Sequence, residues 1–368
     1  MKTPRKNPSG SFPASFRTQG GFTIIELMVA AFIGLLVLMA VSYAFVGGRH
    51  TYVLNSEMMR MQENARAVLE TIRRDARMAA FHGCAKIDEV TNLSSRISAE
   101  EFARFKEGGI YVQNGGYAGA MSGMSYSGGL EIHGVRANAA EASVQKEFIA
   151  NNDNTISIAG GALASQFMAD DYSHARVLLS DCTGGVFMNL VGAGADTLSV
   201  SSSGGDSAQL FARGAQVFLY ALPRTFRVQE SADAYEGYVA RPIGSLYYNE
   251  GGLAEKTDPE ELARGVEAFR VCLVAGDNKL KPWQTATADE KKNAMQAQVD
   301  LVLVSQRPEV LPEVTSYKMR MCGETDPDTV SYEVLDRRLR RLFSATIALR
   351  NKITDINKPV EAHDSAAD

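Results

Sequence analysis

Two hydrophobic rhythms divide the chain. The first is an unbroken apolar run from Phe22 to Val46, interrupted by one carboxylate, Glu26. It is long enough to span a bilayer as a helix. Past a soft point at Gly47-Gly48 the run becomes a stripe. Leu54, Met58, Met61, Ala65, Val68, Leu69, Ile72, Ala76 and Ala79 recur at spacings of three, four and seven, which marks one apolar helix face. No proline falls between Phe22 and Gly83. The pattern therefore predicts one helix of about 55–60 residues, about 85–90 Å long, stopping at Gly83. Its second half needs only a layer to pack against, and Glu70 and Arg74 form a surface pair on the other face.

After Gly83 the period shortens. Thr155–Ser157 with Ile158, Ala175–Leu179, Val186–Val191, Thr197–Val200, Gln216–Leu222, Leu246–Asn249, Val266–Val274 and Asp300–Ser305 read as strands separated by turn-forming clusters. The Gly-, Ser- and Tyr-rich stretch Gly108–Gly129 and the similar Gly192–Ser207 read as exposed loops. Residues 351–368 are polar and without apolar period, the pattern of a disordered tail.

Charge changes the picture at the N-terminus. Lys2, Arg5, Lys6 and Arg17 precede the apolar run, with no acid among them. A basic leader before an apolar segment is an export signal. Without residues 1–21 the formal charge of −5 becomes −9, which gives no general attraction for nucleic acid. Glu26 is the anomaly, because a carboxylate within a span costs about 2.5–3.5 kcal/mol on insertion scales. A secretory signal cut after Ser42-Tyr43-Ala44, or an uncleaved signal anchor, leaves it unexplained.

Gly21 followed by Phe22-Thr23-Ile24-Ile25-Glu26-Leu27 resembles the type III signal of type IV pilins and type II secretion pseudopilins. The resemblance implies leader removal between Gly21 and Phe22 by a prepilin peptidase and N-methylation of Phe22. It also implies an assembly role for Glu26, paired with the new amine four residues away in its own subunit or a neighbour. Met61-Gln-Glu-Asn-Ala-Arg-Ala, the run from Arg74 to Cys84, Leu179-Ser-Asp-Cys182, Gly265-Val-Glu-Ala-Phe269 and the closing Leu342 to Asn351 are similar to minor pilins of the PilW type. Pseudopilins of the J type are the alternative.

The implied fold is α+β: a long N-terminal helix, transmembrane first and amphipathic second, packed on an antiparallel β-sheet domain. Its divisions are a removed leader at 1–21, a spanning helix at 22–46, a periplasmic helix at 47–82, a β-rich domain at 83–350 and the tail. The implied function is initiating or capping a pilus. The implied partners are other minor pilins, the major pilin, the peptidase and the inner-membrane assembly platform. The subunit would sit in the inner membrane before assembly and at the pilus, at its tip, afterwards.

An oxidising compartment makes disulfides of Cys84, Cys182, Cys272 and Cys322 the expectation, ahead of buried free thiols. Four cysteines allow three connectivities, and the sequence does not choose. Cys84–Cys182 with Cys272–Cys322 is preferred, the first tying the helix end to the sheet and the second closing a long insertion.

Catalytic patterns are sparse. His50, His82, His133, His174 and His363 form no His-Glu-x-x-His, and Gly-x-Ser-x-Gly and phosphate-loop motifs are absent. Ser143-Val-Gln-Lys146 lacks the companion motifs of penicillin-recognising hydrolases. Asp326-Pro-Asp328 lacks calcium-loop spacing and reads as a solvated turn. No metal or other cofactor is expected, and a membrane-anchored periplasmic hydrolase is the weakest reading. Arg337, Arg338, Arg340 and Arg341 cluster without interleaved stacking aromatics, so they read as the polar face of an element whose other face carries Leu335, Leu339 and Phe343, and nucleic acid as an unlikely partner.

Overall fold

The computed structural model describes residues 21–114, 127–135, 141–159, 165–168, 172–204, 208–220, 222–230, 243–249, 259–274, 279–323, 331–332 and 336–349. The leader up to 20, residues 115–126 of the Gly108–Gly129 stretch, Asp326, Asp328 and the tail lie outside them. The fold is α+β, a long N-terminal helix followed by a domain rich in antiparallel sheets. Two compact units divide it, Met1–Val53 and Leu54–Asp368.

Helix α1 runs Ile24–Ala76, about 80 Å at 1.5 Å per residue. Gly47 and Gly48 stay helical. All residues from Gly21 to Tyr52 are exposed. Within the second unit Met61, Ala65, Val68, Ile72 and Ala76 are buried, with Leu69 packed against the same core.

The helix ends seven residues before the predicted Gly83, and long-range bonding is the reason. Met78 and Ala79 donate to carbonyls only three residues back, at 3.1 Å each. Ala80 then takes a positive φ of 50° and its N–H donates to the His133 carbonyl at 2.9 Å. Ala79, though buried, has left the helix and bridges Gly134. The approach is close enough to demand glycine opposite: a Cβ at Gly134 would stand 2.1 Å from the Met78 carbonyl oxygen.

The stripe packs against two sheets. One has five strands in the order β14-β13-β12-β3-β2, where β2 is Ile110–Asn114, β3 Ser127–Ile132, β12 Arg224–Glu230, β13 Gly244–Asn249 and β14 Glu260–Arg264. The other runs β16-β15-β17-β20, with β15 Val266–Val274, β16 Leu280–Pro282, β17 Gln296–Val304 and β20 Arg340–Ala348. Ile132, Phe226, Leu246, Phe269, Leu301 and Ile347 share one core with the helix. All neighbouring strands in both sheets are antiparallel.

A third sheet curls into a barrel. Its order is β4-β11-β7-β8-β9-β6, with β4 Glu141–Ser143, β6 Thr155–Ser157, β7 Arg176–Ser180, β8 Gly185–Ala193, β9 Thr197–Ser201 and β11 Gln216–Tyr220. The short strand β1, Val90–Asn92, pairs parallel to β8. A Val144–Ile158 bridge and a 2.8 Å bond from Gln145 N to the Ser157 carbonyl join the ends. Closure wraps the wall around Val177, Leu179, Val186, Met188, Leu198 and Val217, all fully buried. Two small ladders complete the β structure, β5 (Phe148–Ile149) with β10 (Leu210–Phe211) and β18 (Tyr317–Lys318) with β19 (Ser331–Tyr332).

The strands expected from the sequence recur with ends shifted by a few residues, and Val266–Val274 recurs unshifted. The Gly192–Ser207 stretch is not a loop throughout, because β9 lies inside it; Ile110–Asn114 likewise makes strand of part of the other. Strand β12 escaped the reading although it alternates cleanly, with Phe226 and Val228 buried and Arg227 and Gln229 exposed. Strand β20 escaped because four arginines obscure its start.

Candidate assembly site

Of the predicted N-terminal site residues, Glu26 sits on the first turn of α1 and is exposed, while Gly21 and Phe22 precede the helix. Thr23 caps it: its hydroxyl accepts from Glu26 N at 3.3 Å, and its carbonyl accepts from Leu27 N at 3.1 Å. Thr23-Ile-Ile-Glu26 has the Thr-x-x-Glu form of a capping box, a signal the sequence reading passed over. Glu26 therefore lies at the positive end of the helix dipole, worth about 0.3–1 kcal/mol to a carboxylate. That is less than the cost of carrying the charge into a bilayer. The helix terminus alone does not offset that cost.

At its other end α1 is held by buried ionic struts. Asp75, 3% exposed, accepts from the Tyr248 hydroxyl at 3.1 Å and stands 3.6 Å from Arg224 Nη1. Glu57 is also buried, 3.4 Å from Arg307 Nε. The surface pair is Glu70 with Arg73 at 3.1 Å, in place of the predicted Arg74, which lies 3.7 Å from Asp75.

Helix α2, Ala99–Lys106, begins at Ser98, whose hydroxyl accepts from Glu101 N at 3.1 Å. It carries Glu101 to the buried Arg176, 3.0 Å away, and Arg104 to Glu131 at 2.9 Å. Burial alone would raise the Glu131 pKa. The His133 and Arg104 neighbours outweigh it and hold the carboxyl below the ordinary range. Below α2, Phe105, Phe187 and Tyr220 meet edge to face with centroids 4.6–5.9 Å apart.

Two of the four clustered arginines, Arg338 and Arg340, do not lie on a solvated face. Arg340 is 3% exposed and makes paired contacts with Glu267, at 2.7 and 2.9 Å, and with Asp336, at 2.6 and 2.8 Å. Arg338 is buried and donates to the Ser305 and Gln306 carbonyls. Arg337 pairs with Glu309 at 2.6 Å, while Arg341 is exposed with its guanidinium 3.3 Å from Met58 Sδ. Arg338 and Arg340 answer internal carbonyls and acids, while Arg337 and Arg341 lie toward solvent.

The cysteines are joined as Cys84–Cys182, with Cα atoms 4.7 Å apart, and Cys272–Cys322, at 6.0 Å. The first ties the segment after α1 to the turn between β7 and β8; the second fastens β15 to the segment after β17. Ser143 lies in β4 with Val144 buried beside it. Among the described residues no three of His, Cys, Asp and Glu are grouped to hold a metal ion.

Residues 16–42 match the prokaryotic N-terminal methylation motif, a segment containing Gly21, Phe22 and Glu26. No curated protein matches the chain. The motif implies processing by a prepilin peptidase and association with a membrane, and α1 is long and apolar enough to cross one. This motif supports a type IV pilin- or pseudopilin-like protein.

Proposed function

We propose that this chain is a minor pilin of the PilW type, a non-enzymatic subunit that helps initiate or cap a type IV pilus. The observation that carries the reading is a methylation motif heading a 53-residue helix whose distal half is packed into a folded domain. Such a layout puts a processing site and a membrane span at the head of the same helix that continues into the domain. Glu26 is the assembly charge. Cleavage after Gly21 frees an amine at Phe22, four positions away, and this amine neutralises the carboxylate within the subunit or across to its neighbour. The domain lies on the periplasmic side before assembly, and its partners are the major pilin, other minor pilins and the inner-membrane platform.

Mass spectrometry of the mature N-terminus tests this reading. It expects N-methylated Phe22 as the first residue, and Gly21→Ala should leave the leader attached because the cut site admits little bulk. A product beginning at Phe45 overturns it.

A further inference from the structure

The five-stranded sheet has two unlike faces. Phe226, Val228, Leu246 and Tyr248 point to one side and join the core shared with α1. Side chains alternate along a strand, so Thr225, Arg227 and Gln229 of β12 and Tyr247 and Asn249 of β13 occupy the other side. The antiparallel register sets Thr225 opposite Asn249 and Arg227 opposite Tyr247. Together with Pro259, which immediately precedes β14, these five residues line a cavity of about 200 Å³.

The chemistry of the lining narrows what fits. No aliphatic side chain contributes to it, so an apolar ligand gains little there. Arg227 is its single charged group, whereas sites for phosphate chains and nucleic acid gather several cations. Thr225, Gln229, Asn249 and the Tyr247 hydroxyl supply donors and acceptors together. The rings of Tyr247 and Pro259 add the only carbon-rich surface.

Two neighbours keep Arg227 available. Gly129 of β3 stands opposite it, and a Cβ there would come 2.9 Å from Arg227 Cγ. Glycine therefore gives the arginine stem room to lie across the sheet. Glu131, whose carboxyl feels the charge of Arg227, is engaged directly by Arg104 at 2.9 Å. Arg227 is left as an exposed cation.

We propose that this cavity binds one sugar ring carrying a carboxylate, a uronic or sialic acid residue at the end of a glycan. The planar fork of Arg227 donates two N–H bonds to the carboxylate. Thr225, Gln229 and Asn249 exchange hydrogen bonds with ring hydroxyls, because each of the three both donates and accepts. The Tyr247 ring covers the C–H face of the sugar. The volume falls below the range of about 300–1,000 Å³ for drug-sized sites, which fits a single ring with the rest of the glycan in solvent. The site stands on the sheet face and does not depend on the pilus reading.

The full-length chain in detergent micelles tests the site, in titrations followed by saturation-transfer NMR. Glucuronate, galacturonate and N-acetylneuraminate are the probes. Glucose supplies the ring without the charge, and acetate the charge without the ring. At least one acidic sugar should bind at least about tenfold more tightly than glucose or acetate. Arg227→Gln should abolish that advantage over glucose, and Tyr247→Ala should weaken the acidic sugar at least about fivefold. Both variants should form the two disulfides of the wild type. Binding by none of the three acids, acetate binding as tight as theirs, or undiminished binding in either variant overturns the proposal.

Discussion

At the residue scale, two charges are resolved in opposite ways. For Glu26, whose backbone N–H donates to the Thr23 hydroxyl, the proposed partner is the amine that proteolysis frees at Phe22, so Glu26→Ala should be cleaved and remain in the membrane. Its recovery in filaments should fall at least about tenfold, the factor corresponding to 1.4 kcal/mol, and assembly at the wild-type level rejects the pairing. Arg340 is neutralised within the fold by Glu267 and Asp336. Removing it strands two acids, so Arg340→Ala should cost about 3–5 kcal/mol in denaturant unfolding. The exposed neighbour Arg341→Ala should change stability by no more than about 0.5 kcal/mol. Burial by itself raises the Asp336 pKa; the hydrogen bonds and charge of Arg340 override it, and the carboxyl sits below its ordinary value. A depressed folded pKa means that this contribution is complete above the ordinary aspartate value, about 3.9. It is lost as pH falls from there through the folded value. Acid unfolding should therefore be less steep in the Arg340→Ala protein than in wild type.

Elements differ in how openly the sequence declared them. The apolar stripe of α1 was plain because each buried position repeats a local spacing, and its content is testable. Ile72, fully buried, should lose about 2–5 kcal/mol on replacement by alanine, read as a lower unfolding midpoint. Where α1 stops was hidden, since the bond that draws Ala80 out of the helix is donated to the distant His133 carbonyl. Strand β20 was hidden for a related reason. Four arginines in five residues suggest solvent, yet Glu267 lies 73 residues from Arg340 and leaves no local trace. Thr23 illustrates the reverse case: its capping role was written three residues from Glu26 and needed only to be read.

Across the whole molecule, the methylation motif and the helix-then-sheet order were legible. Barrel closure was not, because it depends on Val144 meeting Ile158 at the far end of a six-strand path. Both disulfides span long stretches, 98 and 50 residues. Each should contribute about 2–4 kcal/mol. Replacing Cys84 and Cys182 together by serine should lower the thermal midpoint of the full chain, and an unchanged midpoint rejects that contribution.

The bond between Cys84 and Cys182 has a mechanical consequence. A pull along α1 leaves the helix at Ala76 and meets a covalent link to the barrel only eight residues later. Tension passing to Cys182 and beyond bypasses the backbone between the two cysteines. Helix α2, on the bypassed backbone, is then spared direct tension while the subunit bears load.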